Sequence, residues 1–452
     1  METTSEATPV ATATATCPMD AGEPSATEGG ACPLDMTDAE LLRDPFRGYS
    51  RLREQGRVIR ATYPSSPTPL WLITRYDDVK EVLGDKRFAN NPGSVPGANV
   101  ENVHKELADA LQLEEKYIKI FTSSLLDVDG EDHIRLRRLV SRTFTARRVA
   151  DLRPRVEEIA TRLLDELAGQ AAEDDEDGVG VVDLIEHFAY KLPINVICEL
   201  IGIPEADRPR WRQWGKDAFS LEPGAQNEPM RGMVDHITEL VEQRRARPTG
   251  DLLSGLIDAH DEEGDRLTGD ELLTMVLTLV LAGTENTAQT IGNGTVALLT
   301  HPDQLDVLRA EPGIMPEAVH ELMRWCGALH GTQFRHAVED VEIGGVTIRQ
   351  GDRLMCMLVA ANYDPRYFAD PDRLDLRRHP DGQREVHVGF GAGLHYCLGA
   401  HLAKQEFEVA FGGLVSRFPH MRLAVAADEL ERQQMPGSWR LRRLPVRLDG
   451  RS

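Results

Sequence analysis

Between Thr268 and Pro302 the chain has no proline, and the stretch opens with Thr268-Gly269-Asp270-Glu271, a threonine and a glutamate at the spacing of a reciprocal helix cap. This predicts a single helix of about thirty residues, which at ~1.5 Å per residue crosses an entire domain. Its first half is mostly apolar, so the helix has to be central and buried. It is not a membrane span, because the longest apolar run, 272–283, is too short and is broken by Thr274 and Thr278.

A chain organised around such a helix is mainly helical, and its strand signals are few and local. Val58-Ile59-Arg60-Ala61-Thr62-Tyr63 and Leu70-Trp71-Leu72-Ile73-Thr74 flank a Pro/Ser turn and read as a strand pair. Val341-Glu342-Ile343 and Val346-Thr347-Ile348 alternate around Gly344-Gly345 and read as a tight hairpin, with a further strand from Arg353 to Leu358. Residues 1–36, rich in Ala, Thr, Ser, Pro, Gly and Glu, cannot offset the entropy of ordering and are expected to form a disordered tail. Its short repeat, Cys17-Pro18-Met19-Asp20 and Cys32-Pro33-Leu34-Asp35, resembles haem-regulatory Cys-Pro dipeptides, although biased composition alone also produces such repeats. Beyond the tail only two polar loops, 170–180 and 222–229, interrupt the pattern, so 37–452 reads as one domain.

The net charge of −23, from 74 acidic and 51 basic residues, excludes a sequence-blind nucleic-acid binder. No Lys or Arg precedes Arg43 and no apolar block opens the chain, so neither a secretory signal nor a transit peptide is expected, and the expected location is cytoplasmic. The six cysteines have no zinc-type spacing and are not expected to build a disulfide framework in a reducing compartment.

The densest chemical signal is Phe390-Gly391-Ala392-Gly393-Leu394-His395-Tyr396-Cys397-Leu398-Gly399, followed by an amphipathic helix with Ala403, Phe407, Ala410, Phe411 and Leu414 on one face. Three glycines around one cysteine are costly unless something must approach the backbone closely. A helix starting just after Cys397 places its positive end beside the sulfur and favours thiolate over thiol. Such a thiolate is a metal ligand or a nucleophile; an inert buried cysteine would leave the glycine spacing unexplained.

Phe390, Gly391, Gly393, His395, Cys397 and Gly399 fit the pattern F-G-x-G-x-[RH]-x-C-x-G, and here the sequence resembles the cytochrome P450 haem-thiolate monooxygenases. The resemblance implies haem b, iron protoporphyrin IX, with Cys397 as axial thiolate and His395 at a propionate. It also implies the family's fold, a mainly α triangular prism with small β-sheets and the long helix over the haem. It runs from Asp38 to about the C-terminus. Glu321 and Arg324, one turn apart in a helix opening with Pro316, match the family's Glu-x-x-Arg, which pairs with a downstream arginine, and 364–375 looks like the family's meander region. In Asp132-His133-Ile134-Arg135-Leu136-Arg137-Arg138, His133 and Arg137 match propionate-binding positions, as does Arg335 further on.

The long helix contains Ala282-Gly283-Thr284-Glu285-Asn286-Thr287, which resembles A-G-x-[DE]-T-[TS]. In the family the small residues, here Ala282 and Gly283, make room for dioxygen, and an acid and an alcohol relay protons. Glu285 matches the acid, but Asn286 stands where the family has threonine. An amide holds a water near bound oxygen yet lacks the hydroxyl. Thr287, about 100° further round, replaces that hydroxyl only if the helix is locally distorted.

These matches imply an oxidoreductase that hydroxylates a bulky specialised metabolite with O2 and two electrons relayed by a separate ferredoxin and ferredoxin reductase. Asn286 keeps a second outcome open: oxidative C–C or C–N coupling of an aromatic or cyclic-dipeptide-type natural product without oxygen insertion. A third, a non-catalytic haem gas sensor or carrier, has no use for the acid at 285. The run 133–149, with six arginines and no acid, reads either as a landing patch for an acidic ferredoxin or as solvated surface charge. Substrate selection is expected to fall to 88–100, 211–233, 328–333 and 435–439.

Overall fold

In the computed structural model the described residues are 33–448, apart from 64–65, 98–99, 101, 174–179, 219, 221, 261–263, 379–385 and 434. The long helix spans Gly269–Thr300, 32 residues, and carries the expected cap: Glu271 N–H donates to Thr268 Oγ1 at 3.2 Å, and Thr268 N–H donates to Glu271 Oε2 at 2.8 Å. It is buried along most of its length against the helices Lys191–Ile201, Met315–Cys326 and Ala400–Arg417. Two of its glycines set these distances, since a Cβ on Gly294 would lie 2.4 Å from Phe411 Cζ and one on Gly292 2.5 Å from Ile185 Cδ1. The helix is continuous through 282–287, and Thr287 is buried on it while Asn286 is half-exposed.

A six-stranded sheet has the order Leu34–Asp35, Val58–Tyr63, Ser66–Ile73, Arg353–Cys356, Arg335–Ala337, Phe88–Ala89. The third of these strands begins at Ser66, ahead of the expected Leu70. Tyr63 pairs with Ser66 and Ala61 with Leu70, so Pro67 and Pro69 fall in a register shift where their missing N–H groups break no ladder. The Arg353 strand stops at Cys356, and Leu358 instead opens the short helix Leu358–Asn362. Leu34 and Asp35 pair in parallel with Ala61 and Thr62, and Met36 is fully buried among Leu41, Tyr49 and Leu72, so the ordered chain starts before residue 37. The remainder of the expected tail, with Cys17 and Cys32, lies outside the described residues.

The hairpin Val341–Ile343 with Val346–Ile348 has the predicted register, and φ of +60° at Gly344 and +84° at Gly345 give the tight turn that requires glycine. Both polar loops are shorter than expected. The helix Ala146–Glu173 takes in Gln170, and the helix Asn227–Ala246 takes in Pro229, which is tolerated in a first turn. The helix of Glu321 likewise begins at Met315, one residue before Pro316.

Two segments expected separately at the substrate are stitched into one unit. His330 N–H and Gly331 N–H donate to Gly437 O at 2.8 and 3.2 Å, and Trp439 N–H donates to Ala328 O at 2.8 Å. His330 itself is 2% exposed, packed by Phe46, Tyr49 and Trp439, and its Nε2 has no hydrogen-bond partner. Burial, and then the charge of Arg432, pushes its pKa down to about 3. An unfolded histidine titrates near ~6.5, so the stabilisation from the neutral ring is complete above that pH and is lost as pH falls towards the folded value, at ~1.36 kcal/mol per unit. Between pH 7.5 and 4.5 the native protein should therefore lose ~2–3 kcal/mol more of its urea-unfolding free energy than His330→Leu does. Parallel losses would show that His330 does not set this acid sensitivity.

Candidate functional site

The cysteine loop is closed by its own backbone. Cys397 N–H donates to Phe390 O at 2.9 Å and Tyr396 N–H to Gly393 O at 3.2 Å. Gly391 and Gly393 have φ of +72° and +70°, and a Cβ on Gly393 would lie 2.3 Å from Leu83 O, so glycine alone fits there. Gly399 caps the helix Ala400–Arg417, whose positive end therefore adjoins Cys397. Of the face expected for this helix, Phe407, Ala410, Phe411 and Leu414 are buried and Ala403 is half-buried. Cys198, Cys326 and Cys356 are buried, and burial pushes each thiol up to about 12. Cys397, in contrast, is half-buried and adjoins the positive helix end.

Along the central helix one face is not covered by protein. Thr278, Leu279, Ala282, Gly283 and Asn286 are exposed or half-exposed, whereas Val280, Leu281, Thr284, Glu285 and Thr287 are buried. The spacing i, i+1, i+4, i+5, i+8 makes the open residues a single stripe. Ala282, Gly283 and Asn286 thus share the open face, and Thr287 is 6% exposed and off it. Glu285 sits on the flank, engaged by Tyr190 Oη and by Arg440.

The four residues expected at propionates are drawn into one region. His133 lies on the helix Gly130–Thr143, its ring centroid 4.1 Å from that of His395. It is 2% exposed, and neither ring nitrogen finds a hydrogen-bond partner in the protein. Burial, followed by the charges of His395 and Arg137, pushes its pKa down to about 4. Arg137, one turn on, lies near Cys397 and Tyr396, and burial lowers its pKa. Arg335 is 5% exposed, donates to Phe88 O at 3.2 Å, and is likewise lowered by burial.

Asp129, which sequence reasoning passed over, supplies a counter-charge among the described residues. Its Oδ1 is 3.6 Å from His395 Nε2, and its carboxylate accepts the N–H groups of Asn90 and Asn91 at 3.0 and 2.7 Å. Among the described residues neither Arg137 nor Arg335 has an ion pair. Two guanidiniums and two imidazoles short of acceptors suit a ligand bearing carboxylates, as the two propionates of haem b do. The residues present therefore fit the cofactor that the resemblance implies.

Glu321 and Arg324 form the expected pair, both side chains 0% exposed, with bonds of 2.7 and 2.8 Å. Arg324 also donates to Asn362 O, Pro371 O and Arg373 O. The downstream partner is Arg378, just beyond 364–375, whose Nε donates to both oxygens of Glu321 at 3.0 and 3.1 Å. Only the coil of 364–378 around Arg324 brings it there, so spacing alone could not single it out.

The basic run is partly neutralised by acids from elsewhere, Arg135 pairing with Asp265 and Glu271 and Arg147 lying 3.9 Å from Asp151, while Arg142 donates to the backbone carbonyl of His260. Arg138, Arg142 and Ile134, the last 48% exposed, lie on one outward face of the helix. Leu329 in the segment 328–333 is 37% exposed. Among the described residues no helix is long and apolar enough to cross a membrane.

Comparison with known proteins agrees with this geometry. The family Cytochrome P450 matches residues 224–422. The chain is 40% identical to the 6-deoxyerythronolide B hydroxylase of Saccharopolyspora erythraea over 420 residues, 92% of this chain and 99% of that protein. The solved structure of the Bacillus subtilis bacillaene polyketide synthase cytochrome P450 PksS superposes with a TM-score of 0.80 at 34% identity, covering 92% of this chain and 99% of that one. CxnD, a cytochrome P450 described as forming a C–S bond in chuangxinmycin biosynthesis, superposes with a TM-score of 0.78 at 31% identity, covering 94% and 99%.

Proposed function

The chain belongs to the cytochrome P450 family, enzymes that bind haem b through a cysteine thiolate, and we propose that Cys397 is that thiolate and that the enzyme hydroxylates a bulky polyketide-type natural product. The observation that carries the assignment is that Arg137, Arg335, His133 and His395 converge on the region of the Cys397 loop with few protein acceptors for their N–H groups. Haem b held by a thiolate supplies the dioxygen-activating chemistry, in which RH, O2, two electrons and two protons give ROH and water.

The protein's own groups orient and protect that chemistry. His133, Arg137, Arg335 and His395 bind the propionates. Gly391 and Gly393 let the loop turn back beneath the sulfur, and the adjoining helix end favours its anionic form. Ala282 and Gly283 leave space on the open stripe of the central helix. The Asn286 amide, also on the stripe, holds a water in hydrogen-bonding reach of that space, with Glu285 on the flank as proton source. Thr287, buried and off the stripe, takes no direct part. Substrate contacts fall to Leu329 and the unit stitched from 328–331 and 437–439. Electrons come from a small acidic ferredoxin and its reductase, docking on the face of Ile134, Arg138 and Arg142.

The absorption spectrum of the reduced protein with carbon monoxide tests the ligand: a strongly red-shifted Soret band is expected, and a band at the position of histidine-ligated haem would overturn the assignment. A second reading is favoured by one observation, the absence of a hydroxyl at 286 on the open stripe: oxidative coupling without oxygen insertion; CxnD is described as a cytochrome P450 for C–S bond formation. Turnover under labelled dioxygen separates the two. One labelled oxygen in the product supports hydroxylation; a product joined without added oxygen supports coupling.

A further inference from the structure

Glu285 is engaged at both oxygens from outside its own helix. Tyr190, which follows the turn Ile185–Ala189, donates its phenolic hydrogen to Oε2, and Arg440, on the strand Arg440–Leu441, lies 3.6 Å from Oε1. The cluster is well shielded, with the Glu285 side chain 5% and the Arg440 side chain 14% exposed. Tyr190 stays protonated because burial, and then the charge of Glu285, drives its pKa well above the usual phenol range.

The strand that carries Arg440 is itself fixed to the central helix one turn below Glu285. Leu441 N–H donates to Gln289 Oε1 at 2.8 Å, and Gln289 Nε2 donates to Leu441 O at 3.2 Å. Arg440 is thereby held in place rather than floating at a surface. Two chain segments far apart in sequence converge on one carboxylate beside the open stripe, and neither Tyr190 nor Arg440 lies on that stripe.

We propose that Tyr190 and Arg440 are positioning residues for Glu285, anchoring its carboxylate on the flank of the stripe and so setting how much of the reduced dioxygen is lost as peroxide. This positioning role rests on the function proposed above. Release of peroxide takes two electrons and two protons per O2, whereas complete reduction to two waters takes four of each. The partition therefore reports proton delivery even when no substrate is known. A carboxylate anchored at both oxygens keeps one position relative to the stripe; with one anchor removed it turns away towards the other.

The test uses the holoenzyme with a plant-type ferredoxin and its reductase, measuring peroxide formed per O2 consumed and the solvent isotope effect on O2 consumption. Tyr190→Phe and Arg440→Gln are each expected to raise the peroxide fraction by at least about threefold and to enlarge the isotope effect, and Arg440→Lys to recover most of the difference. In a Glu285→Gln background, adding Tyr190→Phe should change neither readout further, because its effect runs through the carboxylate. Tyr190→Phe removes only one oxygen and serves if Arg440→Gln fails to fold.

Unchanged peroxide fractions in variants that retain the carbon-monoxide band overturn the inference and leave the enzyme assignment standing. Additive effects in the Glu285→Gln background overturn it too, since the residues would then act as scaffold. A native protein with no red-shifted band overturns the enzyme assignment and this inference together.

Discussion

Replacing Arg324 with leucine is expected to cut the yield of haem-loaded protein at least tenfold and to lower the unfolding free energy by ~3–5 kcal/mol. The guanidinium has all its N–H groups directed at acceptors: both oxygens of Glu321 and the carbonyls of Asn362, Pro371 and Arg373. Leucine removes the donors to those carbonyls and takes from Glu321, itself 0% exposed, its bidentate partner, leaving Arg378 and the Asp375 N–H among its remaining donors. Domains are stable by only ~5–15 kcal/mol, so one such loss is a large share of the total. Arg324→Lys keeps the charge but not the planar fork and should recover part of the loss. Urea unfolding with haem content as a second readout measures both, and a loss below ~1 kcal/mol would show that the network is not what holds 364–378 in place.

Cys397→Ser is expected to abolish the red-shifted carbon-monoxide band and reduce turnover to background while leaving the fold intact. Serine has no thiolate to offer, yet the loop is closed by the Cys397 N–H to Phe390 O bond, which does not involve the side chain. Stability of the apoprotein should change by less than ~1 kcal/mol, the usual range for a half-exposed position. Cys198, Cys326 and Cys356 offer no substitute, because burial pushes their thiols up to about 12. Circular dichroism and the spectrum together check the prediction. A retained band would place the ligand on another residue, and a collapsed fold would show that the sulfur supports the loop mechanically.

Much of the site was legible because its determinants are local. A cap box and a proline bounded the central helix, and two consecutive glycines with alternating flanks gave the hairpin register. The glycines around Cys397 announced a backbone turn that a Cβ would block, and the structure bears this out at Gly393. The same local logic failed at the strand beginning Ser66, where a register shift absorbs two prolines that normally end a strand. It failed again at Met36, whose burial depends on a sheet built from residues distant in the chain.

What the sequence determined by itself is therefore what spacing and backbone stereochemistry dictate: the helix that crosses the molecule, the cysteine loop, the Glu321 and Arg324 pair, and through them the family. Tertiary structure alone decided which charges meet. Asp129 came to His395, Arg378 to Glu321, and Tyr190 with Arg440 to Glu285, because a buried charge takes its partner from whichever segment the fold delivers. It also decided that Asn286 faces the open stripe while Thr287 does not, since a continuous helix turns successive side chains about 100° apart.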